Sequence, residues 1–186
     1  MALTRRAIVE AGLRILDEYG LGDLSMRRVA DALGVQAGAL YYHVPNKQSL
    51  LAAVADEILA AQPPADEQVG PIVDWLASWA HGLRRRLLAH RDAAELVAST
   101  HALGLGAVDP CAAGRAGLER EGAPEPAATM AALLHFVLGH VVEEQTQAQM
   151  HQLGVVANFD PEEHRRNFAW GLSLFTSGVA AQRADG

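Results

Sequence analysis

The chain has 186 residues, half of them apolar and 5% aromatic, with a formal net charge of −7. That length holds one DNA-reading module of about 50 residues plus a larger helical body, or a single mid-sized domain. It excludes a disulfide framework, since Cys111 is the only cysteine, and a uniformly basic nucleic-acid coat.

Charge is unevenly distributed. Residues 1–50 carry six basic groups (Arg5, Arg6, Arg14, Arg27, Arg28, Lys47) and five acidic ones, a net of +1 that leaves −8 for the remainder. An acidic body suppresses non-specific adhesion to DNA and leaves recognition to one end. Alanine and leucine dominate, and alternating β-branched runs are missing, so an all-α chain is expected. Residues 1–6 lead into an amphipathic helix rather than an apolar segment, which argues against a secretory signal. No apolar run is expected to span a bilayer. A single cysteine, with no internal disulfide, fits a reducing cytoplasm.

The first helix is predicted over 4–19, with Ile8, Ala11, Ile15, Leu16 and Tyr19 on its buried stripe and Gly20 ending it. Ser25 is placed to cap a second helix in which Met26, Val29, Ala30 and Leu33 share one face. Gly34 breaks that helix, Val35 follows as a buried pivot, and a third short helix spans 36–43 before the pre-proline Val44 stops it. Two short helices joined at a glycine and braced by an earlier helix form the helix-turn-helix pattern. Asn46 caps a fourth helix that ends near 62–64, and 65–70 reads as a loop. The boundaries follow: 1–46 as the DNA-binding module, 47–62 as a connecting helix, and 63–186 as an effector-binding and dimerisation body.

In that body Pro71 opens a fifth helix, with Ile72, Leu76, Trp79, Leu83 and Leu87 on its buried face. Asp92 is expected to cap the next helix, which ends at Gly104. A short helix runs from Asp109-Pro110 to Gly122. A long one begins at Pro124-Glu125-Pro126 and is apolar nearly all round from Met130 to Val142, which places it at the centre of the body. Asp160-Pro161-Glu162-Glu163 starts the last helix, with proline at N1 and acids at the positive pole. Nine to ten helices result.

The run Leu24-Ser25-Met26-Arg27-Arg28-Val29-Ala30-Asp31-Ala32-Leu33-Gly34-Val35, followed by Gly38-Ala39-Leu40-Tyr41-Tyr42-His43-Val44-Pro45-Asn46-Lys47, resembles the signature of the tetracycline-repressor family. Further on, Leu87-Leu88-Ala89-His90-Arg91-Asp92 and His135-Phe136-Val137-Leu138-Gly139 with Glu143 resemble segments of the family's namesake branch. The resemblance implies a DNA-binding repressor that is released by a ligand and binds a palindromic operator as a homodimer. A same-fold activator, or a regulator without a small-molecule ligand, is the alternative. It also implies roles for residues. Arg27 and Gln36 reach the duplex, Ala37, Gly38 and Ala39 face the bases, and Tyr41, Tyr42, His43 and Lys47 hold phosphates. Ala37, Gly38 and Ala39 cannot make bidentate base contacts, so readout leans on methyl contacts, Gln36, Arg27 and DNA shape.

In the namesake branch a histidine, a water network beside a threonine, and a glutamate hold a drug–magnesium complex. The histidine position corresponds here to Val97, while Thr100 and Glu143 remain, and polar drug contacts on the fifth helix become Trp79 and Leu83. Glu143 with waters is a poor cage for a hard cation, so no metal cofactor is expected. A hydrophobic or aromatic effector is, held by Trp79, Leu83, Val97, Thr100, Met130 and Leu134, with His101, His135 and Glu143 as polar anchors. The eight histidines are scattered; His135 and His140 lie five apart, off the spacing of a shared helical face. No Ser/His/Asp, Cys/His or glycine-loop phosphate motif stands out, so catalysis is not expected. Gly139 and Val142 on the long helix, and Gly171, Leu174 and Gly178 on the last, are assigned to a four-helix dimer interface. Two helical glycines cost about 1 kcal/mol each relative to alanine unless a partner helix packs closely there.

Overall fold

Local capping chemistry sets most helix starts in the N-terminal region. The computed structural model describes residues 3–60 and 70–184, which form nine α-helices and no strands. Helix α1 (Arg5–Tyr19) begins where the Thr4 hydroxyl accepts the Ala7 amide at 3.1 Å, and ends at Gly20 with φ 86°. A single 3-10 turn, Leu21–Asp23, leads to Ser25, whose hydroxyl accepts the Arg28 amide and opens α2 (Met26–Leu33). Gly34 closes α2 in the left-handed conformation at φ 66°.

Helix α3 (Ala37–Leu40) is shorter than the 36–43 expected. Its last residues form a turn in which the His43 and Val44 amides both donate to the Leu40 carbonyl. Pro45 keeps Val44 out of the helical region, so the turn goes no further. The Asn46 carboxamide accepts the Ser49 amide at 2.7 Å and starts α4 (Lys47–Ala60). The expected end of this helix at 62–64, and most of the loop after it, lie outside the described residues.

Five helices follow: α5 (Ile72–Leu88), α6 (Ala93–Ala102), α7 (Ala112–Arg120), α8 (Pro126–Gln152) and α9 (Pro161–Ala184). By length and composition α8 could cross a bilayer, which corrects the expectation that no segment could. Its residues Met130, Leu133, Leu134, Val137, Leu138 and Val141 are buried inside the protein, and buried Glu144 follows them. They lie on one face of α8, while His135, Gly139 and Glu143 on the rest of the helix are exposed, so the chain covers α8 along one side rather than all round as expected.

The chain divides into two compact units: Met1–Ala61 with Arg86–Val108, and Gln62–Arg85 with Asp109–Gly186. In the first, α1 packs on α2 and α4, α2 on α3, and α4 on α6. Ile8, Leu16, Leu24, Val29, Leu40, Val44, Leu50 and Val54 are fully buried there, each worth roughly 1.5–3 kcal/mol of transfer free energy. Gly12 lets α4 approach α1, because a Cβ at that position would sit 2.9 Å from Val54 Cγ2.

The sequence pattern placed everything after residue 62 in the effector body, yet 86–108 folds with the first unit. Three carboxylates tie it there. Asp17 accepts the His90 ring at 3.1 Å and the Arg91 amide at 3.3 Å. Asp92 accepts the Leu21 amide at 2.8 Å. Asp56 on α4 accepts the Ala107 and Val108 amides at 3.0 Å. Asp92 was expected to cap α6; instead it makes no side-chain cap bond, sits at φ 53°, and turns its carboxylate to the distant Leu21.

In the second unit α8 packs against α7 and α9. Gly114 allows α7 to close on its neighbours: a Cβ there would overlap the Met130 sulfur and stand 2.9 Å from Trp75 Cζ3. Trp79 of α5 is buried, and its indole N–H donates to the Pro110 carbonyl at 3.1 Å.

Candidate DNA-binding surface and effector body

Buried Leu40 and Val44 anchor α3 and the turn after it in the core of the first unit. The residues between and beside them are free of that core. Gln36 and Gly38 are exposed, Ala37, Ala39 and His43 are half-buried, and Tyr41 and Tyr42 are 51% and 93% exposed. A tyrosine as exposed as Tyr42 adds nothing to the packing of the chain. A Cβ added at Gly38 would meet no atom within 4 Å, so this part of α3 presents open backbone.

Two neighbouring arginines have different surroundings. Arg28 lies over the Tyr19 ring at 4.0 Å and pairs with Asp23, so it holds α2 to the end of α1. Tyr19 was assigned to the buried stripe; it is 42% exposed and serves Arg28 as a platform. Arg27 has its side chain 91% exposed and only a loose 4.0 Å approach to Asp31. Lys47, the single lysine of the chain, is exposed at the first turn of α4. A helix start carries a positive pole, and the ammonium beside it adds to the positive potential there.

The residues assigned to the effector fall in different environments. Trp79, Leu83, Met130 and Leu134 are buried in the second unit, and Val97 and Thr100 in the first. His101, His135 and Glu143 are exposed, so neither histidine is an enclosed polar anchor in this chain. On α8 the buried set Leu133, Leu134, Val137, Leu138 and Val141 leaves His135 on the opposite side of the helix. The Thr100 hydroxyl donates to the Leu96 carbonyl at 2.9 Å, within its own helix, and Glu143 accepts the Gln147 amide at 3.2 Å. With apolar Val97 buried beside that committed threonine, these residues do not fit a drug–magnesium complex, which needs several free oxygen and nitrogen ligands.

The residues assigned to a dimer seam also divide. A Cβ at Gly139 or Gly178 would meet nothing within 4 Å, Val142 is half-buried, and Leu174 is 58% exposed. Gly171 differs: a Cβ there would stand 2.8 Å from Phe136 of α8, so close packing within the chain accounts for it. Trp170, 68% exposed on α9, was not singled out from the sequence and extends this bare apolar surface.

Cys111 is buried, and its thiol donates weakly to the Met130 carbonyl at 3.7 Å. Burial first, and the Asp109 carboxylate second, raise its pKa to about 11. A thiol reagent at pH 8 is therefore expected to leave the native chain almost unlabelled and to label it fully in guanidinium, as counted by mass spectrometry. Rapid native labelling would show that the α7–α8 contact opens.

Sequence reasoning missed the polar centre of the second unit. Arg84 of α5 donates to both carboxylate oxygens of Glu144 on α8, at 2.8 and 2.7 Å, with the two side chains only 13% and 6% exposed. Near Glu144 the rings of Phe136, His140, His164 and Phe168 gather, with His81 edge-on to Phe168. Burial, then Arg84 and Arg85, hold the His81 imidazole below its ordinary pKa. The available signal was the spacing of four between His140 and Glu144, which puts both on one face of α8.

Sequence profiles place this arrangement. The profile for bacterial regulatory proteins of the tetR family matches residues 8–54, and that for the tetracyclin repressor-like C-terminal domain matches 64–158. A tetracycline repressor protein of class A from transposon 1721 in Escherichia coli is 31% identical over 97% of this chain and 92% of its own. The chain belongs to the tetR family. Members of that family are DNA-binding transcriptional regulators, and so is this protein. Among solved tetR-family structures, BioQ with its natural double-stranded DNA operator is 34% identical, with a TM-score of 0.79 over 97% of this chain and 99% of its own. The Streptomyces coelicolor tetR-family protein ActR in complex with (S)-DNPA is 26% identical, with a TM-score of 0.74 over 97% and 98%.

Proposed function

We propose that the protein is a cytoplasmic repressor that binds a palindromic operator as a homodimer and leaves it when a hydrophobic or aromatic small molecule binds. The observation that carries this reading is the bare strip from Gln36 to Lys47, in which Tyr42 is 93% exposed beside fully buried Leu40. Buried Leu40 fixes the turn, and the exposed tyrosines, His43 and Lys47 then supply phosphate ligands that set the register of α3 in a major groove. BioQ, similar along nearly its whole length, has been solved with an operator, and ActR with a small molecule.

Release needs a route from the body to the reading helix. Helix α6 packs on α4, and Asp56 of α4 holds the Ala107 and Val108 amides just beyond α6. A ligand that displaces α6 therefore also moves α4 and Lys47 at its start. The shift can be no larger than the ligand's difference in affinity between the two states.

Selection of duplexes from a random pool by the intact chain tests the reading. It is expected to return an inverted repeat with half-site centres about 34–36 Å apart, one helical turn, occupied by two chains. Recovery of an unrepeated sequence, or of complexes with one chain per duplex, would contradict it.

A further inference from the structure

We infer that His140, Glu144 and His164 form a binding site for a divalent transition-metal ion of the zinc class, inside the second unit and independent of the effector reading above. One ligand atom from each residue lies within 4.8 Å of the other two. His140 and Glu144 are one turn apart on α8, and His164 comes from the first turn of α9, which packs against α8. Two imidazole nitrogens and one carboxylate oxygen, with a fourth position open to water, are a zinc-type donor set and a poor one for magnesium or calcium, which take oxygen ligands.

The hydrogen bonds around the rings already have the form that metal-bound histidines require. His140 Nε2 lies 2.9 Å from the His164 backbone carbonyl, which can only accept, so Nε2 carries the proton and Nδ1 keeps a lone pair. His164 Nε2 lies 3.2 Å from Gln147 Oε1. The Gln147 amide nitrogen donates to Glu143, which fixes the carboxamide with its oxygen toward His164. His164 Nε2 is then also the protonated nitrogen. Each ring thus has one nitrogen held by an oxygen acceptor and the other available, the outer arrangement that orients metal-binding imidazoles.

Glu144 is held by Arg84, but through one guanidinium nitrogen that bridges both carboxylate oxygens. Each oxygen keeps a lone pair on its outer side, so the carboxylate can meet a cation without releasing Arg84. The imidazole centroids stand 6.0 Å apart, near the roughly 5 Å of two rings on one tetrahedral ion. Ligand atoms on such an ion are about 3.4 Å apart, so the separations of up to 4.8 Å must close by no more than about 1.4 Å. His140 is half-buried, and a small shift of its side chain and of His164 that keeps their Nε2 hydrogen bonds supplies that movement. An ion there would add a coordination link between α8 and α9 to the hydrogen bonds and ring contacts that already join them.

The test uses the intact chain without an affinity tag, stripped with a chelator and titrated with Co2+, whose visible absorption reports coordination. One Co2+ per chain is expected, with the bands of a four- or five-coordinate site, displaced by Zn2+. His140→Ala and His164→Ala are each expected to weaken binding about 100-fold or more, with helical circular dichroism retained. As a readout that needs no variant, Zn2+ is expected to shift the Nδ1 resonances of His140 and His164 in long-range proton–nitrogen spectra. Absence of binding, binding unchanged in both variants, or Zn2+ shifts confined to exposed histidines such as His101 and His135 would overturn the assignment.

Discussion

Glu144→Ala is expected to lower stability by about 3–5 kcal/mol, the loss typical of removing one partner from a buried ion pair. The acidic partner is only 6% exposed, and Arg84 would be left charged at 13% exposure. The ring of Phe168, 5.3 Å from the guanidinium, could not replace a carboxylate. The Arg84 Nε already lacks a hydrogen-bond partner, so the site has no slack in polar partners. For a chain of this size the loss corresponds to a fall in Tm of about 10 °C. Thermal scans at one fixed chain concentration measure it, because association would otherwise shift the midpoint. Glu144→Gln keeps an acceptor and should lose less. The double change Arg84→Met with Glu144→Leu should recover most of the stability, since an apolar pair of similar volume avoids the desolvation of two charges. If the double variant were as unstable as Glu144→Ala, the cost would lie in packing rather than charge.

The second large effect is on DNA. Arg27→Ala combined with Lys47→Ala is expected to weaken operator binding about 1,000-fold at moderate salt. The two changes remove four cations from the proposed DNA face of a dimer, Arg27 toward a base or a phosphate and Lys47 toward a phosphate, at about 1 kcal/mol each. The slope of log affinity against log salt should also shrink, by about 3 to 4, because each lost phosphate contact removes about 0.9 of slope. Both side chains project from the surface, Arg27 with 91% exposure, so the fold should be unaffected. Arg28→Ala provides the contrast: Arg28 is engaged with Tyr19 and Asp23, and its loss should act first on the α1–α2 junction. Affinity and salt slope both unchanged in the Arg27/Lys47 double variant would remove these residues from the interface.

How far the sequence alone reaches depends on the range of the interaction. Thr4, Ser25 and Asn46 each accept an amide three residues ahead, and Gly20 and Gly34 adopt the backbone conformations their positions suggest. Those choices are made within one turn of chain, so composition and spacing reveal them. The helix-turn-helix is legible for the same reason: its glycine turn, its pre-proline stop and its apolar stripes are all local.

Errors appear where the deciding partner is distant. Tyr19 fits an apolar stripe by its spacing, but Arg28 draws it to the surface. Asp92 reads as a helix cap, but an amide 71 residues away takes its carboxylate. Gly171 reads as a place for a partner helix, and the nearest group in the chain is Phe136 of the neighbouring helix, 35 residues away. Nothing near Arg84 in sequence announces Glu144, 60 residues on, nor does α8 by itself reveal that His164 will join His140.

Local sequence was enough for the helical class, for the capped starts of α1, α2 and α4 and for the helix-turn-helix pattern, because each follows from hydrogen bonds and apolar periodicity within a few residues. Tertiary structure alone decided which side of each helix meets another, that 86–108 belongs with α1 to α4, and where the buried charge and the histidines converge. Those outcomes depend on which distant groups satisfy one another once water is excluded, and no local pattern encodes that pairing.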